Sequence, residues 1–313
     1  MRIGLQIPNF TLGVPDEQLF DKVAELAVTA DESGYDSVWV MDHFFQLPAL
    51  GGPPQPMLES YTLLGALAAR TTRVGLGTLV TGVTYRNPAI LAKMVTTLDV
   101  ISGGRAILGI GAAWYDVEHH GLGVPFPPVR ERMDRLEEAV QICRAMFRED
   151  RPSFQGRFYA IDEAWNVPRP IRAGGPTVLI GGSGERRTLS VVARHADMCN
   201  ISGDVETIRH KVGVLRQHCE AAGRDPSEVT VSRLSTLVVT DSDQETATTR
   251  DFLRSVVGEE ELAGFNVGQE HEILEQFEAL TDAGVEYFIF NMPTSGPDAI
   301  RRVGGLLGAR SGT

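Results

Sequence analysis

The sequence predicts an α/β protein of the (β/α)8 TIM-barrel class. About eight short apolar runs, each of the length of a buried strand, alternate along the 313 residues with longer amphipathic runs of helical length. Alternation of this kind produces a parallel sheet with right-handed crossovers, and eight units favour closure into a barrel. The alternative that the same pattern allows is an open, doubly wound sheet.

The first four units carry the clearest signals. Strands are predicted at residues 3–7, 37–41, 74–80 and 106–110. The first helix begins near Pro15, places Asp16 and Glu17 in its positive first turn, and ends near Gly34. Further helices are predicted at residues 57–69, from Pro88 onward, and at residues 130–147, where apolar side chains form one stripe.

A segment rich in proline and glycine interrupts this rhythm at about residues 150–176. We interpret it as an insertion with short extended pieces after the fourth βα unit, inside a single domain that spans residues 1–313. Strands then resume at residues 177–180, 198–201, 229–239 and 287–290, with helices between them.

Charge and cysteine content exclude several classes of function. The net charge of −12 disfavours binding to a phosphate backbone, so we expect no nucleic-acid partner. The three cysteines are odd in number and form no C-x-x-C pair, so the sequence predicts neither a disulfide framework nor a zinc ribbon. Free cysteines are typical of a reducing cytoplasm. The chain opens directly on a strand without a secretory signal, and no apolar run approaches the ~20 residues that cross a bilayer, so we expect a cytoplasmic protein without a membrane partner.

Function in a βα-barrel sits where the strands end, and the second strand ends on an unusual polar pair. Asp42 and His43 follow the buried strand directly. Imidazole at this position can relay a proton near neutral pH. The alternative is a histidine packed at the barrel rim beside an aspartate that caps a loop.

Small residues end the third and fourth strands. Thr78, Leu79 and Val80 precede a turn, which by itself indicates only a strand end. Gly111, Ala112 and Ala113 would let a flat ligand approach the backbone, or would serve close helix–strand packing. The run from Gly109 resembles the start of a dinucleotide fingerprint, but position 114 is Trp and no helical pattern starts directly after it, which argues against a Rossmann fold.

The fifth strand ends on a glycine-rich loop that opens a helix, formed by Gly181, Gly182, Ser183 and Gly184. Free backbone N–H groups at a helix start bind anions, so the loop predicts a phosphate site. Arg186 and Arg187 either assist the anion or form a solvated helix face. Because position 185 is Glu, the loop is not a G-x-S-x-G nucleophile elbow.

The histidines do not predict a metal site. His119 and His120 are adjacent, so on a helix they point about 100° apart and cannot form an i, i+4 pair. The other histidines lack ligand spacing, and we expect no metal.

Taken together, these strand ends resemble the bacterial-luciferase-like superfamily, and within it the F420-dependent oxidoreductases. The resemblance covers nearly the whole chain. It implies a non-proline cis peptide at Leu79–Val80 that supports the cofactor ring, a phosphate held by the loop at Gly181, and His43 near the reactive ring edge. It also implies a homodimer. The implied cofactor-binding residues are Asp42, His43, Thr78, Leu79, Val80, Gly111, Ala112, Ala113, Gly181, Gly182, Ser183 and Gly184.

The resemblance implies hydride transfer between coenzyme F420 and a small organic substrate. From position and chemical type we predict His43 and Trp114 as the catalytic residues, with His43 supporting the transfer and Trp114 shaping the substrate pocket. Relatives that oxidise glucose 6-phosphate carry a glutamate where this chain has Trp114, so a sugar phosphate is not the expected substrate. Trp114, Phe44, Phe45 and Phe10 indicate an apolar or aromatic one. The alternatives are a monooxygenase that uses flavin mononucleotide (FMN) and a non-catalytic flavin-binding protein.

Overall fold

The computed structural model describes residues 1–292 and 296–308, apart from the side chains of residues 260 and 261. Residues 293–295 and 309–313 of the predicted single domain lie outside this part of the chain. The strands within it are β1 (Arg2–Ile7), β2 (Ser37–Val40), β3 (Gly75–Thr78), β4 (Thr81–Gly82), β5 (Ala106–Gly111), β6 (Phe154–Gln155), β7 (Ala160–Ile161), β8 (Thr177–Gly181), β9 (Met198–Asn200), β10 (Thr230–Val239), β11 (Phe265–Gly268) and β12 (Tyr287–Asn291).

The α-helices alternate with these strands. They are α1 (Asp16–Glu32), α2 (Ser60–Ala68), α3 (Pro88–Ser102), α4 (Asp116–Leu122), α5 (Val129–Arg148), α6 (Thr188–His195), α7 (Val205–Ala221), α8 (Asp243–Val257), α9 (Glu259–Leu262), α10 (Glu270–Asp282) and α11 (Pro297–Gly308).

Eight parallel strands close into a barrel, which confirms the predicted fold class. Their order is β1, β2, β3, β5, β8, β9, β10 and β12, and β12 pairs with β1 again. The third strand runs in two pieces, because β4 resumes pairing with β5 after a bulge at Leu79 and Val80.

The insertion lies between α5 and β8, at the predicted place after the fourth βα unit. Its short extended pieces, β6 and β7, form an antiparallel pair. Glu138 of α5 holds the connecting turn, since its carboxylate accepts hydrogen bonds from three successive backbone N–H groups at residues 157–159.

Strand β11 differs from the prediction, which placed only helices between the seventh and eighth barrel strands. It pairs in parallel with the end of the long strand β10, from Thr236 to Val239. Four residues between two helices are too short for periodicity to separate a strand from a helix end. The pairing depends on β10 extending beyond its contact with β9, which the local sequence does not show.

Two apolar clusters separate the inside of the barrel from the layer beneath the helices. The larger joins the strands to the surrounding helices, as expected for a helix layer that covers a parallel sheet. The smaller fills the barrel interior with Trp39, Leu79, Ile107, Leu179, Met198, Tyr287 and Ile289. Among the described residues, no helix has both the length and the apolar character needed to cross a bilayer.

Candidate active site

A cavity of about 340 Å³ opens at the C-terminal ends of the barrel strands. Ten of the thirteen predicted site residues line it, and Thr78, Ser183 and Gly184 do not. The lining residues are Asp42, His43, Leu79, Val80, Gly82, Tyr85, Gly111, Ala112, Ala113, Trp114, Met133, Gly181, Gly182, Thr188, Asn200 and Leu234.

The floor of the cavity is the bulge between β3 and β4. The Leu79–Val80 peptide bond is cis, as the family resemblance implies. Val80 packs against two glycines, since a Cβ atom at Gly111 would lie 2.8 Å from its side chain and one at Gly181 would lie 2.9 Å from it. Glycine at both positions therefore leaves the space that Val80 fills.

Thr78 lies below this floor and does not reach the cavity. Its hydroxyl is fully buried, donates to the Gly109 carbonyl at 2.9 Å and lies 2.7 Å from the hydroxyl of Thr81. Its predicted role in direct cofactor binding is therefore not supported by its position. The structure gives Thr78 the task of holding the bulge.

His43 stands at the cavity wall with one ring nitrogen engaged. Its Nδ1 lies 2.7 Å from Oε1 of Glu118, while the hydrogen bonds described for this side chain leave Nε2 without a protein partner. The rings of Trp114 and Tyr115 meet the imidazole edge to face at 5.8 Å each. Glu118 and the two rings fix the ring plane, so that the unengaged nitrogen can serve a ligand in the cavity.

Glu118 was absent from the sequence prediction and is fully buried. Its Oε2 accepts hydrogen bonds from the backbone N–H groups of Phe44 at 2.8 Å and Phe45 at 3.2 Å, and its Oε1 accepts one from the Tyr85 hydroxyl. Burial alone would raise the pKa of Glu118, but hydrogen bonds from His43, Tyr85 and Phe44 outweigh burial and lower it. The group is therefore a carboxylate at neutral pH.

The Tyr85 hydroxyl is held in its protonated form. Burial raises its pKa first, and the adjacent Glu118 carboxylate raises it further. Its ring stacks on His119 with centroids 4.5 Å apart. His119 is buried between the Tyr115 carbonyl and the Thr84 hydroxyl, so it supports the wall and does not face the cavity.

Asp42 borders the cavity, but its carboxylate is already occupied. Both of its oxygens bind the guanidinium of Arg86, and they also accept hydrogen bonds from the Ser60 hydroxyl and the Gly82 N–H. The predicted role of Asp42 as a direct cofactor ligand through its carboxylate is thus not supported. Its place in the structure is to anchor the loop that carries His43.

The glycine-rich loop after β8 differs from the expected form in one respect. Helix α6 begins at Thr188, four residues after Gly184, so a turn separates loop and helix. The backbone N–H groups of residues 184–187 donate no hydrogen bond among those described for this part of the chain. Ser183 does not line the cavity, and its hydroxyl accepts a hydrogen bond from Lys211 at 3.1 Å. Arg187 pairs with Asp134.

The loop after β5 carries Trp114 in a constrained backbone. Ala113 has a φ of 61°, a left-handed conformation that is uncommon for a residue with a Cβ. Arg132 fixes this loop, because its Nε donates to the Ala112 carbonyl at 2.9 Å and its Nη1 donates to the Pro127 carbonyl. Trp114 remains 62% exposed at the cavity mouth.

Three of the aromatic residues that were predicted to line the substrate pocket do not line the cavity. Phe10 is 1% exposed and belongs to the core beneath the helices. Phe44 and Phe45 are half-buried beside the cavity and do not line it. Met133, Tyr85 and Leu234, which the sequence did not single out, do line it.

Helix α4 explains why Glu118 was overlooked. The sequence showed no helical pattern directly after Trp114, yet α4 begins at Asp116. No local spacing connected Glu118 to the predicted site, because Trp114 precedes α4 and Glu118 reaches His43 only through the closed barrel. Among residues 1–292 and 296–308, no group of three His, Cys, Asp or Glu side chains is placed to hold a metal ion.

Comparison with known proteins decides the family. A family model described as luciferase-like monooxygenase matches residues 1–288. The chain belongs to the luciferase-like monooxygenase family. This result confirms the superfamily that the strand-end motifs indicated.

Two curated relatives of this family member share one name, F420-dependent glucose-6-phosphate dehydrogenase. The relative from Kineococcus radiotolerans is 36% identical over 218 residues, which is 66% of this chain and 61% of the relative. The relative from Nakamurella multipartita is 30% identical over 285 residues, which is 90% of this chain and 82% of the relative. The chain thus spans less than two thirds of the first relative and most of the second.

Solved structures share the fold. An F420-dependent secondary alcohol dehydrogenase in complex with an F420-acetone adduct superposes with a TM-score of 0.81 at 21% identity, covering 98% of each chain. The F420-dependent tetrahydromethanopterin reductase from Methanopyrus kandleri gives a TM-score of 0.81 at 19% identity, covering 99% of each chain. At these identities the likeness establishes the barrel alone.

Proposed function

We propose that this chain is an oxidoreductase that transfers a hydride between coenzyme F420 and a small apolar or aromatic organic substrate. The observation that carries the proposal is the placement of His43 at the cavity wall, with Nδ1 bound to Glu118 and Nε2 unengaged. The names of the curated relatives support the choice of cofactor.

The cavity residues fit a flat ring with an anionic tail. The cis peptide at Leu79 and Val80 offers a broad backbone surface, and the small residues Gly111 and Ala112 allow close approach beside it. The unengaged N–H groups of residues 184–187 suit a phosphate at the other end, with Lys211 nearby. Gly181 and Gly182 join the two regions, because they line the cavity and begin the loop.

His43 manages the proton that accompanies hydride transfer. When bound, the deazaflavin accepts or donates the hydride, and so carries both electrons. In substrate oxidation Nε2 of His43 takes the proton of a hydroxyl or amine group, and in the reverse direction it returns that proton.

The cavity lining supports an apolar substrate over a sugar phosphate. No described residue that lines the cavity is Lys or Arg, so a second phosphate would find no cationic side chain there. Trp114, Met133 and Leu234 instead present apolar surface, and Tyr85 adds a ring. We infer that Trp114 contacts the substrate, because it is the most exposed of these residues at the mouth.

Titration with two cofactors tests the proposal. Coenzyme F420 and FMN are added separately to the purified protein, and binding is followed by fluorescence. We expect saturable binding of F420 and single-turnover hydride transfer with a panel of alcohols and carbonyl compounds. Binding of FMN alone would favour a monooxygenase, and F420 binding without turnover on any substrate would favour a non-catalytic binding protein.

We also propose that the protein forms a cytoplasmic homodimer. Exposed apolar side chains on α3 and the adjoining insertion support the dimer, and the hydrogen bond from Lys93 to the Val167 carbonyl ties the two elements together. The three cysteines are buried and free, which suits a reducing compartment. Light scattering should give twice the chain mass, and Ile101→Glu should yield the monomer. The exposed set is Ile90, Ile101, Trp165, Val167 and Ile171.

A further inference from the structure

The contacts of Glu118 reach beyond simple support of a loop. Its two oxygens are divided between two tasks: Oε2 accepts from the backbone of Phe44 and Phe45, while Oε1 meets both Nδ1 of His43 and the hydroxyl of Tyr85. A buried carboxylate with every oxygen satisfied is rigid. Oε1 is therefore shared by two hydrogen-bond donors, Nδ1 of His43 and the neutral hydroxyl of Tyr85.

We propose that Glu118 and Tyr85 act as an opposed pair of positioning residues that set the tautomer and the proton affinity of His43. Glu118 directs the proton of the neutral imidazole to Nδ1 and favours the imidazolium, whereas Tyr85 weakens that effect by donating to the same oxygen. The kinetic part of this proposal rests on the proposed hydride transfer. The tautomer part stands on geometry alone.

The tautomer follows from the chemistry of the partners. An ionised carboxylate can only accept hydrogen bonds, so the atom 2.7 Å from Oε1 must carry a hydrogen. Neutral His43 then has its proton on Nδ1 and its lone pair on Nε2. This lone pair belongs to the nitrogen that is unengaged at the cavity wall.

The opposition follows from the shared oxygen. A hydrogen bond from the Tyr85 hydroxyl withdraws charge from Oε1, because the donated proton is attracted to the same lone pairs that His43 uses. Without this hydroxyl, Oε1 would stabilise the His43 cation more strongly. Without the Glu118 charge, most of that stabilisation would be lost.

Other charged groups around His43 are already paired. Asp42, the preceding residue, is bound by Arg86, and Arg86 also binds Glu59. His119 is engaged by the Tyr115 carbonyl and the Thr84 hydroxyl. Among the described contacts, the imidazole also meets the rings of Trp114 and Tyr115.

Nitrogen NMR of the cofactor-free protein tests the tautomer without any enzyme assay. The ¹⁵N signals of His43, assigned with the variant His43→Gln, should show a protonated Nδ1 and an unprotonated Nε2 when the imidazole is neutral. In Glu118→Gln the amide can donate as well as accept, so we expect a mixture of both tautomers. An unchanged single tautomer in Glu118→Gln would overturn the proposal.

Glu138→Gln is the matched control. Glu118 accepts two backbone N–H bonds, and Glu138 likewise accepts backbone N–H bonds, three of them at residues 157–159, but has no described histidine partner. A similar loss of stability in both variants, with altered His43 signals in Glu118→Gln alone, supports the proposal. Altered His43 signals in Glu138→Gln as well would indicate a general structural effect and contradict it.

The pH profile of kcat/KM tests the opposition. The profile should move to lower pH in Glu118→Gln, because this variant removes the negative charge that lies 2.7 Å from Nδ1. In Tyr85→Phe it should move by a smaller amount in the opposite direction. Movement in the same direction in both variants would overturn the proposal. If no F420-dependent turnover exists, the proposed function fails, while the NMR result still decides the tautomer.

Discussion

The carboxylate of Asp42 and the guanidinium of Arg86 form two parallel hydrogen bonds, 2.7 and 3.0 Å long, at the C-terminal edge of the barrel. The side chain of Asp42 is 1% exposed and that of Arg86 is 11% exposed. Arg86 also binds Glu59 and lies over the ring of Tyr61. The pair thus connects the loop that precedes α3 to the loop that carries His43.

Arg86→Ala is expected to destabilise the protein by about 3–5 kcal/mol, because it leaves the Asp42 carboxylate buried without its cation. Urea unfolding at neutral pH measures the change. Arg301→Ala provides the control, since Arg301 pairs with Asp298 at the exposed surface and its loss should cost less than about 1 kcal/mol. Equal losses in the two variants would show that the Asp42–Arg86 pair has no special role.

The sequence predicted this pair only in part. Asp42 stood out because a charged residue directly after a buried strand is unusual, whereas no side-chain role was predicted for Arg86. The barrel itself was predictable because each strand and helix has a local pattern. Strand β11 was not, since it depends on β10 reaching beyond β9.

Residues that act through others were the hardest to predict. His43 and Glu118 are 75 positions apart, and only the closed barrel brings them to 2.7 Å. Thr78 shows the converse case, because its motif position suggested the cofactor while its hydroxyl turns down to Gly109. Alternation along a strand decides which of two neighbours faces a cavity, and the bulge at Leu79 disturbs that alternation.

Gly182 offers a test of the anion site. Gly182→Asp and Gly182→Asn impose the same strain on a backbone with a φ of 115°, but only Asp adds a charge. We expect both variants to bind F420 more weakly, with Asp about tenfold weaker than Asn because like charges repel over a short distance. Equal affinities of the two variants would mean that no cofactor charge lies at this loop.

Truncation of His43 at the cavity wall and of Trp114 at its mouth should change different kinetic parameters. His43→Ala should lower kcat by about 10²–10⁴-fold with little change in F420 affinity, since a proton-transfer role is lost. Trp114→Ala should instead raise KM for apolar substrates and alter their ranking. Stopped-flow single turnovers separate hydride transfer from binding. Wild-type hydride-transfer rates in His43→Ala would show that the histidine is only part of the rim.

Asp31 should make the barrel sensitive to acid. It is 6% exposed at the end of α1, and its carboxylate accepts hydrogen bonds from the backbone N–H groups of Thr72, Arg73 and Val74 and from the Thr72 hydroxyl. Burial raises the pKa of this carboxyl, but the four hydrogen bonds outweigh burial and lower it. The ionised carboxylate of Asp31 therefore holds the loop before β3 in place.

The sign of the pH dependence follows from that lowered pKa. A carboxyl whose pKa is lower in the folded state stabilises the fold above its unfolded pKa of about 3.9, and this contribution is lost as the pH falls through the folded value.

Asp31→Asn should lower the free energy of unfolding by about 1.5–3 kcal/mol at pH 7, because the amide nitrogen of Asn cannot accept the hydrogen bonds that the loop donates. Below about pH 4 the difference from wild type should shrink, since Asp31 takes up a proton first in the unfolded state and, as the pH falls further, in the folded state as well. Urea unfolding between pH 3 and 7 measures this, with Asp21→Asn, which is 74% exposed on the same helix, as the control with little change at any pH. A cost for Asp31→Asn that stays constant across this range would show that the charge of Asp31 does not hold the loop.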